Sequence, residues 1–304
     1  MDQGFLDRAK HFKDLSTELR NFVVDKGIDK IIQRLQESDS WISFDDEVRQ
    51  YDDEVRNLFI KHIPSEAWAG PVVMSIQEDQ PFRLGLLRAL AVWSEDEDVA
   101  MLDILLSGGV HTHIDEMVPP SGLWPGGRKD SYQADHTFSI WDGNYSSMSK
   151  GAPDYLEAID AKVENEFTQG YAEFVDKSDV ESMGILHGVN EGQSLTGPGV
   201  KARVCWDGTK VGCNNRVRFS ERQELPTMKI FLDILLYFAT WWPQWELFCI
   251  KFDFKSAFKR IVVAQQCRKF LGFCIVKDGE TKYARYRVAP FGWVLASFYW
   301  CRMA

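Results

Sequence analysis

Lys251-Phe252-Asp253-Phe254-Lys255-Ser256-Ala257-Phe258-Lys259 is the stretch on which the reading of this chain turns. An apolar run beginning at Phe248 closes on Asp253, and the small Ser256 and Ala257 make a turn ahead of the aromatic Phe258. A short apolar run ended by polar and small residues reads as a strand. Taken alone, an aspartate at the end of such a strand is more often a turn or a helix cap than a ligand. Its neighbours add context. Residues 201–206 alternate like a strand, 226–242 are apolar at helical spacing, and 261–264 and 270–276 read as further strands. Asp278-Gly279 is a hairpin turn leading into a last strand over 283–288. Strands mixed with helices of these lengths predict an α+β sheet domain.

Five further segments fall in order around that stretch. Upstream stand Lys201-Ala202-Arg203-Val204-Cys205-Trp206-Asp207, Asn214-Asn215 and Glu224-Leu225-Pro226. Downstream stand Arg268-Lys269-Phe270-Leu271-Gly272-Phe273 and Tyr283-Ala284-Arg285-Tyr286-Arg287-Val288-Ala289-Pro290-Phe291-Gly292, followed by Ala296, Trp300 and Arg302. In this order and spacing, residues of about 195–304 resemble the fingers and palm of reverse transcriptases, the RNA-directed DNA polymerases of retrotransposon-like elements. Residues 80–125 carry a fainter likeness to the leader of mobile-element polymerases.

The resemblance implies a partial fingers–palm domain and assigns roles residue by residue. Asp253 would be the catalytic ligand of magnesium, with the Phe254 carbonyl assisting, and Phe258 would check the sugar of the incoming nucleotide. Phe291 and Gly292 would line the nucleotide and template pocket, a glycine suiting close approach. Lys201 and Arg203, two apart on a strand, share a face and would clamp the triphosphate. The implied cofactor is Mg2+ in a two-metal site, because nucleotidyl transfer needs clustered carboxylates around hard cations. The implied partners are an RNA or DNA template–primer and deoxynucleotides. The family's third palm motif, an aromatic, any residue and two aspartates, belongs some tens of residues past Gly292. It does not occur before Ala304, so the metal site is expected to be incomplete and the chain a truncated or degenerate copy with little or no polymerase activity.

Other candidates carry less chemistry. Asp45-Asp46 and Asp52-Asp53 belong to a seven-residue near-repeat, Asp-Asp-Glu-Val-Arg, whose Val48 and Val55 share a helix face; a solvated acidic face is expected there. His111, His113 and Asp115 alternate along an extended segment, with His136 farther on, and read as surface histidines because nothing fixes a fourth ligand. Gly197-Pro198-Gly199 is a turn and not a phosphate loop. Trp241 and Trp242 suit base stacking, although a pair of core residues at a helix end is the expected role.

Composition sets the frame. The net charge of −10 divides unevenly: residues 1–200 hold 17 Lys and Arg against 37 Asp and Glu, and residues 201–304 hold 18 against 8. A basic C-terminal third suits phosphate backbones, although solubility alone also yields such asymmetry. Residues 5–62 predict mainly helix, as do 82–90, 99–106 and an acidic stretch over 154–185, with a loop-rich run from 108 to 153. Glycines at 188, 192, 197 and 199 and the change of charge sign predict two domains, 1–190 acidic and mainly helical and 191–304 the fingers–palm part. Six cysteines show no C-x-x-C pair and predict reduced core residues. Neither a signal peptide nor a membrane span is evident, so an intracellular protein of cytoplasm or nucleus is expected. Two alternatives to the polymerase stand beside it: a non-enzymatic nucleic-acid-binding remnant using Lys255, Lys259 and Arg260, and a protein-interaction module built on the acidic helices.

Overall fold

The computed structural model describes residues 3–38, 47–68, 82–127, 153–193, 200–241, 243–244, 254 and 256–303. The chain divides into two compact units, Met1–Leu106 and Ser107–Ala304. The expected boundary near 190 followed glycine content and charge. In the structure, residues 153–193 belong with the C-terminal third, for reasons that the pairing makes plain.

The first unit is helical: α1 (Gln3–Asp25), α2 (Ile28–Ser38), α3 (Asp52–His62), α4 (Leu84–Ser94) and α5 (Val99–Leu106). Leu15, Ile63, Ala67, Leu86, Ala89 and Trp93 are buried together, with Phe12 stacked on Trp93 at 4.1 Å between ring centres. The near-repeat behaves as a solvated face where it is described. Asp52 pairs with Arg83, Asp53 with Arg56, and Glu54 with Lys26. Asp45 and Asp46 lie outside the described residues.

The second unit is mixed α+β. Its strands are β1 (Met117–Val118), β2 (Ala172–Val175), β3 (Ile185–Gln193), β4 (Val200–Asp207), β5 (Arg218–Phe219), β6 (Gly272–Lys277) and β7 (Glu280–Tyr286). Its helices are α6 (Pro153–Thr168), α7 (Met228–Trp241) and α8 (Val294–Met303). One antiparallel sheet runs β2-β7-β6, β3 and β4 form an antiparallel pair, and β1 pairs β5 in parallel. Asp278 and Gly279 both take positive φ, 56° and 79°, and connect Lys277 to its partner Glu280. This two-residue turn matches the right-handed twist of the strands it joins.

The expected helix over 154–185 holds only to Thr168. Gly170 has φ 68°, and the Tyr171 N–H donates to the Glu166 carbonyl at 2.8 Å. That left-handed glycine and backward bond close a helix, and the chain returns as β2 with Ala172 opposite Tyr286. The acidic segment therefore supplies a strand to the C-terminal sheet. Its charges are complementary as well: Glu173 pairs with Arg285 at 2.7 Å, Glu181 with Lys269 at 2.5 Å, and Glu166 with Lys259. Part of the basic excess after residue 200 is thus balanced by carboxylates just before it.

Trp206 is the pillar of this unit. Along β4, Ala202, Val204 and Trp206 are buried while Arg203 is exposed, the alternation of a pleated strand. The Trp206 indole N–H donates to the Gly272 carbonyl at 2.9 Å. Gly184 and Gly208 flank the ring so closely that a Cβ on either would sit 2.1 or 2.2 Å from it. Bare backbone on both sides lets a fully buried indole fill the gap between β4 and β6.

Two expectations about burial resolve differently. Cys213, Cys267 and Cys274 are buried thiols outside any disulfide, as core cysteines should be; Cys249 lies outside the described residues. Trp241 is 67% exposed, and no residue of α7 is buried, so this tryptophan is not a core residue. The helical spacing of α7 was legible, but its apolar residues run round the whole helix and name no buried face. Trp242 lies outside the described residues. Among the described residues no helix is long and apolar enough to cross a membrane.

Candidate functional site

A cavity of about 490 Å³ opens in the second unit between α6, β4, the segment at 256–259 and Phe291. Three of the residues nominated from sequence for contact with the nucleotide line it: Arg203, Phe258 and Phe291. They come from segments separated by dozens of residues, and each is delivered by a distinct local device.

Arg203 stands on the exposed alternation of β4, and its guanidinium carbon lies 4.8 Å from the centre of the Phe291 ring. A guanidinium over an aromatic face gains from the ring quadrupole. Phe258 rides on a short 3-10 turn, Ala257–Arg260, entered through Ser256 at φ 56°. Its ring stacks on Phe291 with centres 5.9 Å apart and planes 25° from parallel. Phe254 lines the same cavity and meets Trp300 edge-on at 5.3 Å.

Phe291 is held from behind. Its carbonyl accepts the Trp206 N–H at 2.7 Å. The Asn214 amide donates to the Gly292 carbonyl at 2.8 Å, and its oxygen accepts the Val294 N–H at 3.0 Å. One side chain therefore ties the turn down and caps the first turn of α8, whose N–H groups have no partner inside the helix. Gly292 itself does not line the cavity. With φ 102° and a hypothetical Cβ 2.2 Å from the Trp206 carbonyl oxygen, the closeness of β4 by itself requires glycine here.

The floor is an ion pair. The Lys259 ammonium is bonded to the Glu166 carboxylate of α6 and lies 4.0 Å from the centre of the Tyr286 ring. Both side chains are almost wholly buried, at 11% and 13% exposure. Burial pushes the Lys259 ammonium below its ordinary pKa against the pull of Glu166. Lys259 is thus committed to the interior and does not contribute to a basic surface. The remnant reading, which paired it with Lys255 and Arg260, loses one of its three cations on this geometry, and Lys255 lies outside the described residues.

Asp253 also lies outside the described residues; its chain neighbour Phe254 lines the cavity. Lys201 belongs to β4, two residues before Arg203. Among the described residues, no three His, Cys, Asp or Glu side chains converge as a metal site. Asp115 is engaged by the Arg216 guanidinium, with Nε 2.8 Å from Oδ1. His111 faces His113 at 6.0 Å between ring centres, and burial followed by the nearness of His111 lowers the His113 pKa. His136, Gly197, Pro198 and Gly199 fall outside the described residues.

No motif pointed to α6 as one wall. Lys162, Asn165 and Glu166 line the cavity from a single helix face, at the i, i+3 and i+4 spacing that brings side chains together. The one local signal was a Lys and a Glu four residues apart, which ordinarily means a surface pair. A scan against protein-family models and a search of the curated proteins return no match for this chain.

Proposed function

We propose that the second unit is the nucleotide-binding part of a reverse-transcriptase-like polymerase, one that takes deoxynucleotides for RNA-directed DNA synthesis. The observation that carries the reading is the meeting of Arg203, Phe258 and Phe291 in one cavity. Those three were nominated from separate motifs, each for contact with the incoming nucleotide. A cavity of about 490 Å³ lies in the range of small-molecule sites, and its mix of aromatic rings and a guanidinium suits a base or sugar beside phosphates. The magnesium ion that the reading calls for would be held by the Asp253 carboxylate and the Phe254 carbonyl, an all-oxygen donor set of the kind this cation takes. When bound it would neutralise charge on the transferring phosphoryl group. The chain's own part is positional. Arg203 meets the phosphates, the stacked Phe258 and Phe291 set how deep the sugar and base can lie, and the Lys259–Glu166 floor keeps the 256–260 turn in place.

The test is a titration of the full chain with a fluorescent deoxynucleoside triphosphate in magnesium buffer. Saturable binding is expected, weakened about tenfold by Arg203→Ala, the loss of one charge-assisted contact. Absence of saturable binding, or indifference to Arg203→Ala and Phe291→Ala alike, sinks the reading.

A further inference from the structure

The turn at 290–292 carries the ring on which the other two nominated side chains converge. Phe258 stacks on Phe291, and the Arg203 guanidinium carbon lies 4.8 Å from the centre of the same ring. Whatever fixes this turn therefore fixes the cavity. Backbone supplies one tie, the bond from the Trp206 N–H to the Phe291 carbonyl. The other tie is a side chain, Asn214, at the start of the short 3-10 turn Asn214–Arg216.

The Asn214 amide is used at both ends. Its NH2 group donates to the Gly292 carbonyl at 2.8 Å and to the Thr209 hydroxyl at 3.1 Å, while its oxygen accepts the Val294 N–H at 3.0 Å. Reversing the amide would set oxygen against a carbonyl and NH2 against an N–H, so these partners allow one orientation. Thr209 lies two residues past the end of β4, and the Asn214 backbone N–H donates to the Gly208 carbonyl at 3.0 Å. One residue thus joins the end of the strand that carries Arg203 to the turn that carries Phe291.

We propose that Asn214 is a positioning residue of the cavity, one that sets the Phe291 ring against Arg203 for a nucleoside triphosphate. This rests on the polymerase reading and extends it to a side chain that does not itself line the cavity. Asn214→Asp separates its two duties. A carboxylate still accepts the Val294 N–H and suits the N-terminus of α8. It also turns a second oxygen toward the Gly292 carbonyl, with no proton between the two acceptors. The turn is pushed away while the start of α8 stays capped.

The experiment titrates the full chain with fluorescent deoxyadenosine triphosphate in magnesium buffer at low temperature, with circular dichroism checking that each variant is folded. Asn214→Asp is expected to weaken binding about tenfold in the wild-type background and less than about twofold in Phe291→Ala, because it acts through that ring. Equal losses in the two backgrounds overturn the proposal. So does unchanged affinity in Asn214→Asp while Arg203→Ala still weakens binding, and the polymerase reading then stands. Thr209→Val, which removes only the bond between Thr209 and Asn214, is the second variant should Asn214→Asp fail to fold. It is expected to weaken binding about threefold where Phe291 is present, and unchanged affinity overturns the proposal. A wild-type chain that binds no triphosphate removes this proposal and the polymerase reading together.

Discussion

Gly292 lies with its Cα against the backbone of Trp206, so that a Cβ there would come 2.2 Å from the Trp206 carbonyl oxygen, while the Trp206 N–H donates to the carbonyl of the preceding Phe291 at 2.7 Å. This contact joins β4, which carries Arg203, to the turn that carries Phe291. The two sides of the cavity are thereby set relative to each other by backbone, which cannot change rotamer.

Gly292→Ala should therefore damage the cavity and the fold together. The added methyl meets a carbonyl that cannot retreat, and φ 102° is strained for any side chain. Strain and overpacking of this kind cost about 2–4 kcal/mol. At roughly 3 °C per kcal/mol for a unit of this size, a fall in Tm of about 6–12 °C is expected in a thermal melt. A melt within about 2 °C of wild type would show that β4 can move away.

A second tie holds the loop at 121–122. Glu221, buried at 7% exposure, accepts from the Ser121 N–H and hydroxyl, both at 2.8 Å, and from the Gly122 N–H at 2.6 Å. Burial works against its ionised form, but these bonds prevail and hold its carboxyl below the ordinary 4.5. A lowered folded pKa stabilises the fold above the unfolded value, and that contribution is lost as pH falls below about 4.5. Glu221→Gln should cost about 1–3 kcal/mol at pH 7 in urea unfolding. The gap between the two proteins should narrow as pH drops below 4.5; a constant gap would contradict the argument.

Cys213 gives a chemical check on the same core. Burial lifts its thiol to about 12, although Arg216 pulls it back. The thiolate is the reactive form, so at pH 8 Cys213 should escape alkylation in the folded protein and react once urea unfolds it. Mass spectrometry of the labelled peptides distinguishes it from the half-buried Cys205. Labelling of both at similar rates would mean that the interior around Cys213 opens readily.

The sequence made some of this legible and hid the rest for one reason. Asp278-Gly279 and the alternation 202-204-206 are local signals, and both predicted what is seen in β4, β6 and β7. Arg203, Phe258 and Phe291 were named from motifs, and the cavity gathers all three. The α6 wall was not readable, because Glu166 chooses Lys259, 93 residues away, over the neighbour four places back. Charge misled for the same reason: acidic residues at 166, 173 and 181 look like part of an N-terminal acidic region until their basic partners are brought alongside. Gly170 is a local signal for the break. A left-handed glycine after Thr168 ends α6 and frees Ala172–Val175 to join the sheet.

The Glu166–Lys259 pair offers the sharpest energetic prediction. Removing one partner of a buried pair leaves the other charged and unsatisfied, at about 3–5 kcal/mol, whereas replacing both with apolar side chains of similar volume is often neutral. Glu166→Leu should therefore be far more damaging than the double replacement Glu166→Leu with Lys259→Met, and a double-mutant cycle in urea measures the difference. The pH dependence has a definite sign. Burial lowers the folded pKa of Lys259 below 10.5, so between the folded value and 10.5 the unfolded chain holds a proton that the folded chain has released. Stability from this group then rises with pH through that window. In Glu166→Leu the pull that opposed burial is gone, the folded pKa falls further, and the window widens toward neutrality. The variant's deficit against wild type should shrink as pH climbs from 7 toward 10. A deficit that stays constant over that range would mean that the ammonium finds another partner, and the floor would then not depend on α6.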